Sequence, residues 1–110
     1  MNFAYFDTPY CFIGHTHLPL CYVLQDGEST ARAVMPEPGK ITQLLPRTII
    51  NPGSVGQPRD RDPRASYAIY YSESQTWEFR RVVYDISSVQ ERMKAAKLPE
   101  RHIVRLEGGW

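Results

Sequence analysis

Proline and glycine residues divide this chain into short segments, and this division constrains its fold more than any other feature. Residues 51–64 contain three prolines and two glycines. Proline fixes φ and lacks a backbone N–H, so we expect no regular helix or strand in this stretch. It is predicted to be a long loop, and loops of this length in a compact domain are usually functional or disordered.

Short β-prone runs precede this loop, each bounded by turn residues. Asp26-Gly27 separates two of them and strongly indicates a hairpin, because both residue types accept the positive φ of a tight turn. Proline and glycine within residues 36–39 predict a further turn. The predicted strands are residues 10–13, 20–25, 29–34, 40–45 and 47–50.

The segment after the loop predicts a second hairpin and then two helices. Residues 66–71 and 76–84 are expected to pair with each other. Residues 86–97 have helical periodicity, and either Asp85 or Ser87 can cap that helix. A last short helix has Pro99 in its first turn and faces Ile103 and Leu106 inward. Many strands followed by two helices predict the α+β class.

Composition excludes several classes of protein. With 110 residues, 42% of them hydrophobic and 23% charged, the chain matches one ordinary globular domain. No apolar run approaches the roughly 18 residues of a membrane span, and the start lacks the features of a secretory signal. Cys11 and Cys21 do not force a disulfide framework, so we expect reduced thiols and a cytoplasmic protein. A net charge of +1 gives little attraction for nucleic acid or anionic lipid.

The segment Gly14-His15-Thr16-His17 is a candidate metal-binding motif. Its two imidazoles directly follow a predicted strand and can reach one metal ion or two adjacent ones. Taken alone, such a pair more often has a solvated or packing role, because no third ligand is identifiable nearby. The remaining histidine, His102, is expected at the surface of the last helix.

The loop of residues 51–64 is a candidate anion site. Consecutive backbone N–H groups at residues 53–56 and several arginines are suitable donors to a phosphate. The alternative is a solvated turn in which the alternating charges of residues 59–62 neutralise one another. For the charges alone, this alternative is favoured.

Taken together and in this order, the two segments resemble the C-terminal part of calcineurin-like metallophosphoesterases, and most closely the small bacterial and archaeal phosphodiesterase branch. The resemblance extends from about residue 10 to about residue 107. It rests on GHTHLP at residues 14–19, IINPGSVGQPR at 49–59, DPRASYAI at 62–69 and RVVYDI at 81–86.

This resemblance implies a four-layer α/β/β/α sandwich with a dinuclear metal site between its sheets. His15 is implied as a ligand of one metal and His17 as a ligand of the other. The cofactor is implied to be a pair of divalent ions (Mn, Fe, Zn or Ni), and the substrate a phosphate ester that the pair polarises. The residues implied at the rim beside the substrate are Asn51, Gly53, Ser54 and Arg59.

The family's N-terminal ligand motifs do not occur in this chain. It contains no Asp-x-His, no Gly-Asp and no Asn-His pair. Each divalent ion needs about four to six ligands, more than two histidines supply. We therefore interpret residues 1–110 as a single partial domain that is inactive alone. Separation from the first half should expose a strand edge and an apolar face, so we expect a homo-oligomer or association with the missing half.

Three functional hypotheses follow. The first is a metal-dependent phosphoesterase, or its C-terminal part. The second is a non-catalytic module of the same fold that binds a partner chain through an exposed sheet edge. The third, and least favoured, is nucleic-acid binding through Arg59, Arg61, Arg64, Arg80 and Arg81, which would require a steep salt dependence.

Overall fold

The structure, a computed structural model, describes residues 2–110 and confirms the α+β class, with seven strands followed by two helices. A short 3-10 helix, Asn2–Tyr5, precedes them. None of the helices in the described residues is long and apolar enough to cross a membrane. The elements are β1 Tyr10–Phe12, β2 Pro19–Val23, β3 Arg32–Val34, β4 Ile41–Gln43, β5 Thr48–Pro52, β6 Ala65–Tyr71, β7 Thr76–Val82, α1 Ile86–Ala95 and α2 Glu100–Gly108.

The first sheet is mixed and has the strand order β1-β5-β2-β3. Strands β2 and β3 form the hairpin predicted at Asp26-Gly27, with Gly27 at φ 81°. Strand β1 is parallel to β5, whereas β2 is antiparallel to β5. The carboxyl ends of β1 and β5 therefore meet at one edge of the sheet, beside the start of β2. That edge brings the histidine motif next to the proline-rich loop.

The second sheet has the order β4-β7-β6 and packs against the first. Strands β6 and β7 form the second predicted hairpin. The core between the sheets contains Cys21, Leu44, Ile50, Trp77 and Phe79, all nearly inaccessible to solvent. Complete burial of an aliphatic or aromatic side chain of this kind contributes roughly 1.5–3 kcal/mol, so this core supplies much of the stability.

Every strand differs from its sequence prediction by one to three residues at one or both ends, and β3 is half as long as the predicted residues 29–34. Strand β4 is shorter than residues 40–45, and β5 continues to Pro52, so Asn51 and Pro52 belong to a strand and not to the loop. Pro52 lies opposite Pro19 at the end of the ladder. Neither proline has an N–H to donate, and the end of a strand is where a sheet tolerates proline. The extension places the Asn51 side chain on a regular, rigid backbone.

The two helices are linked through a buried glutamine. Asp85 is the N-cap of α1, and its carboxylate accepts a hydrogen bond from the N–H of Ser88. Ile103 and Leu106 of α2 are buried as predicted. In α1, the one buried residue is Gln90, whose Nε2 donates to the Ile103 carbonyl at 2.9 Å. The apolar periodicity of α1 could not reveal this contact, because it depends on a second helix.

Candidate metal centre

The loop between β1 and β2 carries both histidines. His15 is exposed and His17 is half-buried. Both adopt the left-handed backbone conformation, with φ of 79° and 61°. Residues other than glycine seldom adopt this conformation, and it persists where surrounding contacts impose it. The contacts that hold this loop therefore decide where the imidazoles lie.

The loop of residues 53–64 contacts His17 at two points. His17 Nδ1 lies 2.7 Å from the carbonyl oxygen of Gln57, and the His17 carbonyl accepts a hydrogen bond of 3.4 Å from the N–H of Arg59. A carbonyl oxygen only accepts, so Nδ1 carries the proton in this contact. In the neutral ring, the lone pair of Nε2 is then free for a metal ion. Metal-binding histidines in proteins are commonly oriented in this way.

Asn51 lies underneath the histidine loop, with only 2% of its surface exposed. Its Nδ2 donates to the Gly14 carbonyl at 3.1 Å and to Thr16 Oγ1 at 2.8 Å. Its Oδ1 accepts a hydrogen bond of 3.0 Å from the N–H of Gly53. The side chain thus joins the two loops from below, and its polar atoms are engaged within the protein.

The other residues implied at the rim follow directly along the chain. Gly53 has φ 83°, and a Cβ at this position would lie 2.4 Å from Ser66 Oγ. Ser54 is half-buried, and its Oγ accepts a hydrogen bond from the N–H of Gln57 at 3.0 Å. Arg59 is exposed, and its Nη2 donates to Gln57 Oε1 at 3.1 Å. Of these residues, Arg59 alone presents a charged group to solvent beside the histidine loop.

The alternating charges of residues 59–62 do not neutralise one another. Asp60 instead pairs with Arg81 of β7, whose side chain is 4% exposed. Asp62 pairs with Arg64, and this guanidinium holds the pKa of the Asp62 carboxyl below its usual value. The interpretation of residues 59–62 as a solvated turn whose charges neutralise one another is therefore wrong. The partner of Asp60 comes from the distant strand β7, and the partner of Asp62 lies beyond residue 62. These ion pairs anchor the far end of the loop.

The described residues contain no group of three or more metal-binding side chains. His15 and His17 have the donor chemistry of a transition-metal site, and the fixed Nδ1 proton of His17 suits a ligand. They fit such a site as two of its ligands, since a divalent ion needs about four to six. Sequence reasoning did not identify Gln57, because it acts through its main-chain carbonyl and leaves no side-chain signal.

Comparison with known proteins supports the interpretation of this chain as part of a metallophosphoesterase fold. No protein-family model matches the chain. An uncharacterized protein of Methanocaldococcus jannaschii is 38% identical over 90 residues, which are 81% of this chain and 35% of that protein. The crystal structure of a metallophosphoesterase from Sphaerobacter thermophilus has a TM-score of 0.87 and 47% identity, over 98% of this chain and 45% of that one. The chain spans less than half the length of either protein.

The likeness to the Sphaerobacter protein covers sequence as well as fold. Its identity of 47% extends over nearly the whole of this chain. The mixed first sheet, the second sheet and the two final helices also match the architecture expected of the C-terminal half of such a protein. The chain is therefore metallophosphoesterase-like, and it corresponds to the C-terminal half of that fold.

Proposed function

We propose that this chain forms the C-terminal part of a metal-dependent phosphoesterase. In this proposal His15 and His17 each bind a metal ion, and the remaining ligands come from the part of the fold that the chain does not cover. When bound, a pair of divalent ions polarises a phosphate ester and activates water for attack on phosphorus. Imidazole suits Mn, Fe, Zn and Ni alike.

One observation carries the proposal. The Gln57 carbonyl holds the Nδ1 proton of His17 at the edge where the parallel strands β1 and β5 end. A metal-binding histidine commonly donates its other ring N–H to a carbonyl or carboxylate, and this contact presets the Nε2 lone pair for the metal. Ligand sites in sheets with parallel strands commonly lie at the carboxyl ends of those strands.

The chain's own residues also suit a phosphate ester. Arg59 is exposed next to His17, and its guanidinium can donate to two oxygens of one phosphate. The Asp60–Arg81 pair fixes the loop behind Arg59. We propose that Arg59 binds the substrate phosphate, with Gly53 and Ser54 shaping the adjacent wall. Phosphodiesters and phosphomonoesters are both candidates for the substrate.

The outer face of the first sheet is apolar and open. A groove with a volume of about 470 Å³ crosses this face, and its lining includes Ile13, Leu18, Leu20, Tyr22 and Ile49. Leu18 is 41% exposed and Tyr22 36%. This chain spans only 45% of the Sphaerobacter protein. We propose that the remaining part of the metallophosphoesterase fold packs on this groove.

Light scattering on the chain alone, and on a mixture with the unaligned part of the Sphaerobacter protein, tests this packing. We expect a one-to-one complex, because the exposed leucine and tyrosine side chains would be buried in it. Replacing Leu18 with aspartate should weaken the complex, whereas the same change at exposed Met35, which does not line this groove, should not. A chain that stays monomeric in the mixture and unfolds cooperatively contradicts the proposal. A tight homodimer that excludes the other part also contradicts it.

Metal binding is tested by Mn²⁺-induced broadening of histidine NMR signals in the complex of the full chain with the remaining part of the fold, because the chain alone supplies one ligand to each metal ion. We expect His15 and His17 to broaden first. Substituting alanine at either position should weaken Mn²⁺ binding, while His102→Ala, a half-buried histidine of α2, is the matched control and should not. The complex should hydrolyse bis-p-nitrophenyl phosphate and lose this activity in the His15 and His17 variants. Unchanged metal binding in both variants would show that the ligand assignment is wrong.

A further inference from the structure

We propose that Asn51 is a positioning residue for the two histidines. From the end of β5, its buried amide holds the loop of residues 14–17 in the left-handed conformation that both histidines adopt. This inference rests on the proposed function in one respect, namely that the two histidines bind metal ions. The positioning itself is a property of the chain without metal.

Burial makes the Asn51 contacts strong determinants of the loop conformation. Asn51 is nearly inaccessible, and its neighbours on the same face of the sheet are apolar, including Leu20 opposite it and Ile49 two residues away. A buried amide without hydrogen-bond partners is unfavourable. Both acceptors of the Asn51 NH₂ group, the Gly14 carbonyl and Thr16 Oγ1, belong to the histidine loop. Within the chain, the amide therefore finds its two acceptors only when the loop lies over it.

The hydrogen-bond pattern explains why the residue is asparagine. Two donors are needed on the side of the histidine loop, and one acceptor is needed on the side of Gly53. Aspartate has the same shape but only acceptors, and a hydroxyl group has only one proton. Asparagine alone among side chains of this size meets all three contacts. It thereby couples the histidine loop to the loop whose Gln57 carbonyl holds His17.

Two variants remove this support in different ways. Asn51→Asp keeps the side-chain shape but loses both donors. Thr16→Val removes one acceptor at an exposed residue without disturbing the core. It also removes the acceptor of the Leu18 N–H, so its effect is interpreted only together with that of Asn51→Asp. Thr16→Ser keeps the hydroxyl and should behave like the parent. Thr48→Val is the matched control, since Thr48 is equally buried at the other end of β5, where its hydroxyl donates to the carbonyl of Leu45.

The first readout needs no metal. Two-bond ¹H–¹⁵N NMR correlations in alkaline buffer, where imidazoles are neutral, report the tautomer of His17. We expect the Nδ1–H tautomer in the parent, in Thr16→Ser and in Thr48→Val. We expect a tautomer mixture closer to that of free imidazole in Asn51→Asp and Thr16→Val. The backbone amide shifts of the histidine loop should change with it.

The second readout is the Mn²⁺ affinity from NMR broadening of the two histidines in the complex with the remaining part of the fold. Loss of a group that orients a metal ligand typically weakens binding about 10–100-fold, so we expect at least a tenfold loss in Asn51→Asp. Thr16→Val should lose affinity in the same direction. Thr48→Val should retain the affinity of the parent.

The two proposals can fail separately. If the tautomer and loop shifts in Asn51→Asp and Thr16→Val match the parent, Asn51 does not position the loop, whatever the metal result. An equal disturbance of the His17 tautomer by Thr48→Val would also overturn the inference, because it would reflect general destabilisation. If the parent chain, in complex with the remaining part of the fold, fails to bind Mn²⁺ at the histidines, the ligand assignment fails. The tautomer readout then decides the positioning role alone.

Discussion

Replacing Gly53 with alanine tests how rigidly the loop beside His17 is built. Gly53 has φ 83°, and an added Cβ would lie 2.4 Å from Ser66 Oγ, 3.1 Å from Ser66 Cβ and 3.4 Å from Pro19 Cδ. Ser66 cannot easily move away. It is buried, its hydroxyl donates to the Pro52 carbonyl, and its N–H donates to the Ser54 carbonyl.

The expected loss of stability has two parts. A left-handed backbone costs a residue with a Cβ roughly 1–2 kcal/mol. Forcing a methyl group into a packed contact costs a further amount of about 1–3 kcal/mol. The sum is about 2–5 kcal/mol, a large share of the roughly 5–15 kcal/mol that stabilises a typical domain. With a urea m-value of about 2 kcal/mol/M, the unfolding midpoint should fall by about 1–2.5 M.

Urea unfolding followed by circular dichroism measures this loss, and two other glycines separate its parts. Gly27 has φ 81° but open space around it, so Gly27→Ala should show the backbone part alone. Gly56 has open space and no positive φ, so Gly56→Ala should change stability little. Adding Ser66→Ala to Gly53→Ala should recover part of the loss, since it removes the closest atom. If Gly53→Ala costs no more than Gly27→Ala, the argument from the Ser66 contact is refuted.

Three further predictions concern charge and protonation. Arg81→Met should lower the free energy of unfolding by about 3 kcal/mol in urea titrations, the lower end of the range for a broken buried pair, because the Asp60 carboxylate that loses its partner is 14% exposed. A smaller loss when Asp60→Asn is added would confirm the cause, and an undiminished loss would contradict it. Burial raises the pKa of the Cys21 thiol to about 12, so Cys21 should resist a thiol reagent in the folded chain while half-buried Cys11 reacts first. The stability that the neutral Cys21 thiol contributes should be lost as pH rises from 9 toward 12. Equal reaction rates of the two cysteines would contradict this prediction. Hydrogen bonds from the first turn of α1 lower the pKa of Asp85. The stability that Asp85 contributes is therefore present above its unfolded pKa of 3.8 and is lost as pH falls below that value. Asp85→Ala should flatten this acid dependence when unfolding is measured at several pH values, and an unchanged slope would show that another group is responsible.

Local patterns in the sequence predicted most of the secondary structure. Asp26-Gly27 correctly located a hairpin, and Asp85 correctly located the start of a helix. These features depend on residues close together in the chain, where propensity and turn chemistry act directly. The errors lay at the strand ends: β3 and β4 are shorter than predicted, whereas β5 continues past its local signal to Pro52. That residue is tolerated only because its partner across the ladder is the end of another strand.

The histidine motif was also visible in the sequence, but its supports were not. His17 and Gln57 are separated by 40 positions, and Asn51 and Thr16 by 35. The sequence suggested Asn51 as a rim residue, whereas the structure places it underneath the loop with its polar atoms engaged. The Asp60–Arg81 pair likewise joins positions 21 residues apart. No local pattern carries information about such contacts.

By itself the sequence determined the class of the fold, the order of the elements and the residue types available to a metal. The tertiary structure decided which of these residues meet. Because β1 pairs with β5 in parallel, the loops that follow these two strands begin at the same edge of the sheet. Only this arrangement gives the Asn51 amide its acceptors and gives His17 the carbonyl of Gln57. The physical reason is that burial makes polar groups require partners, and only the folded chain determines which partners are within reach.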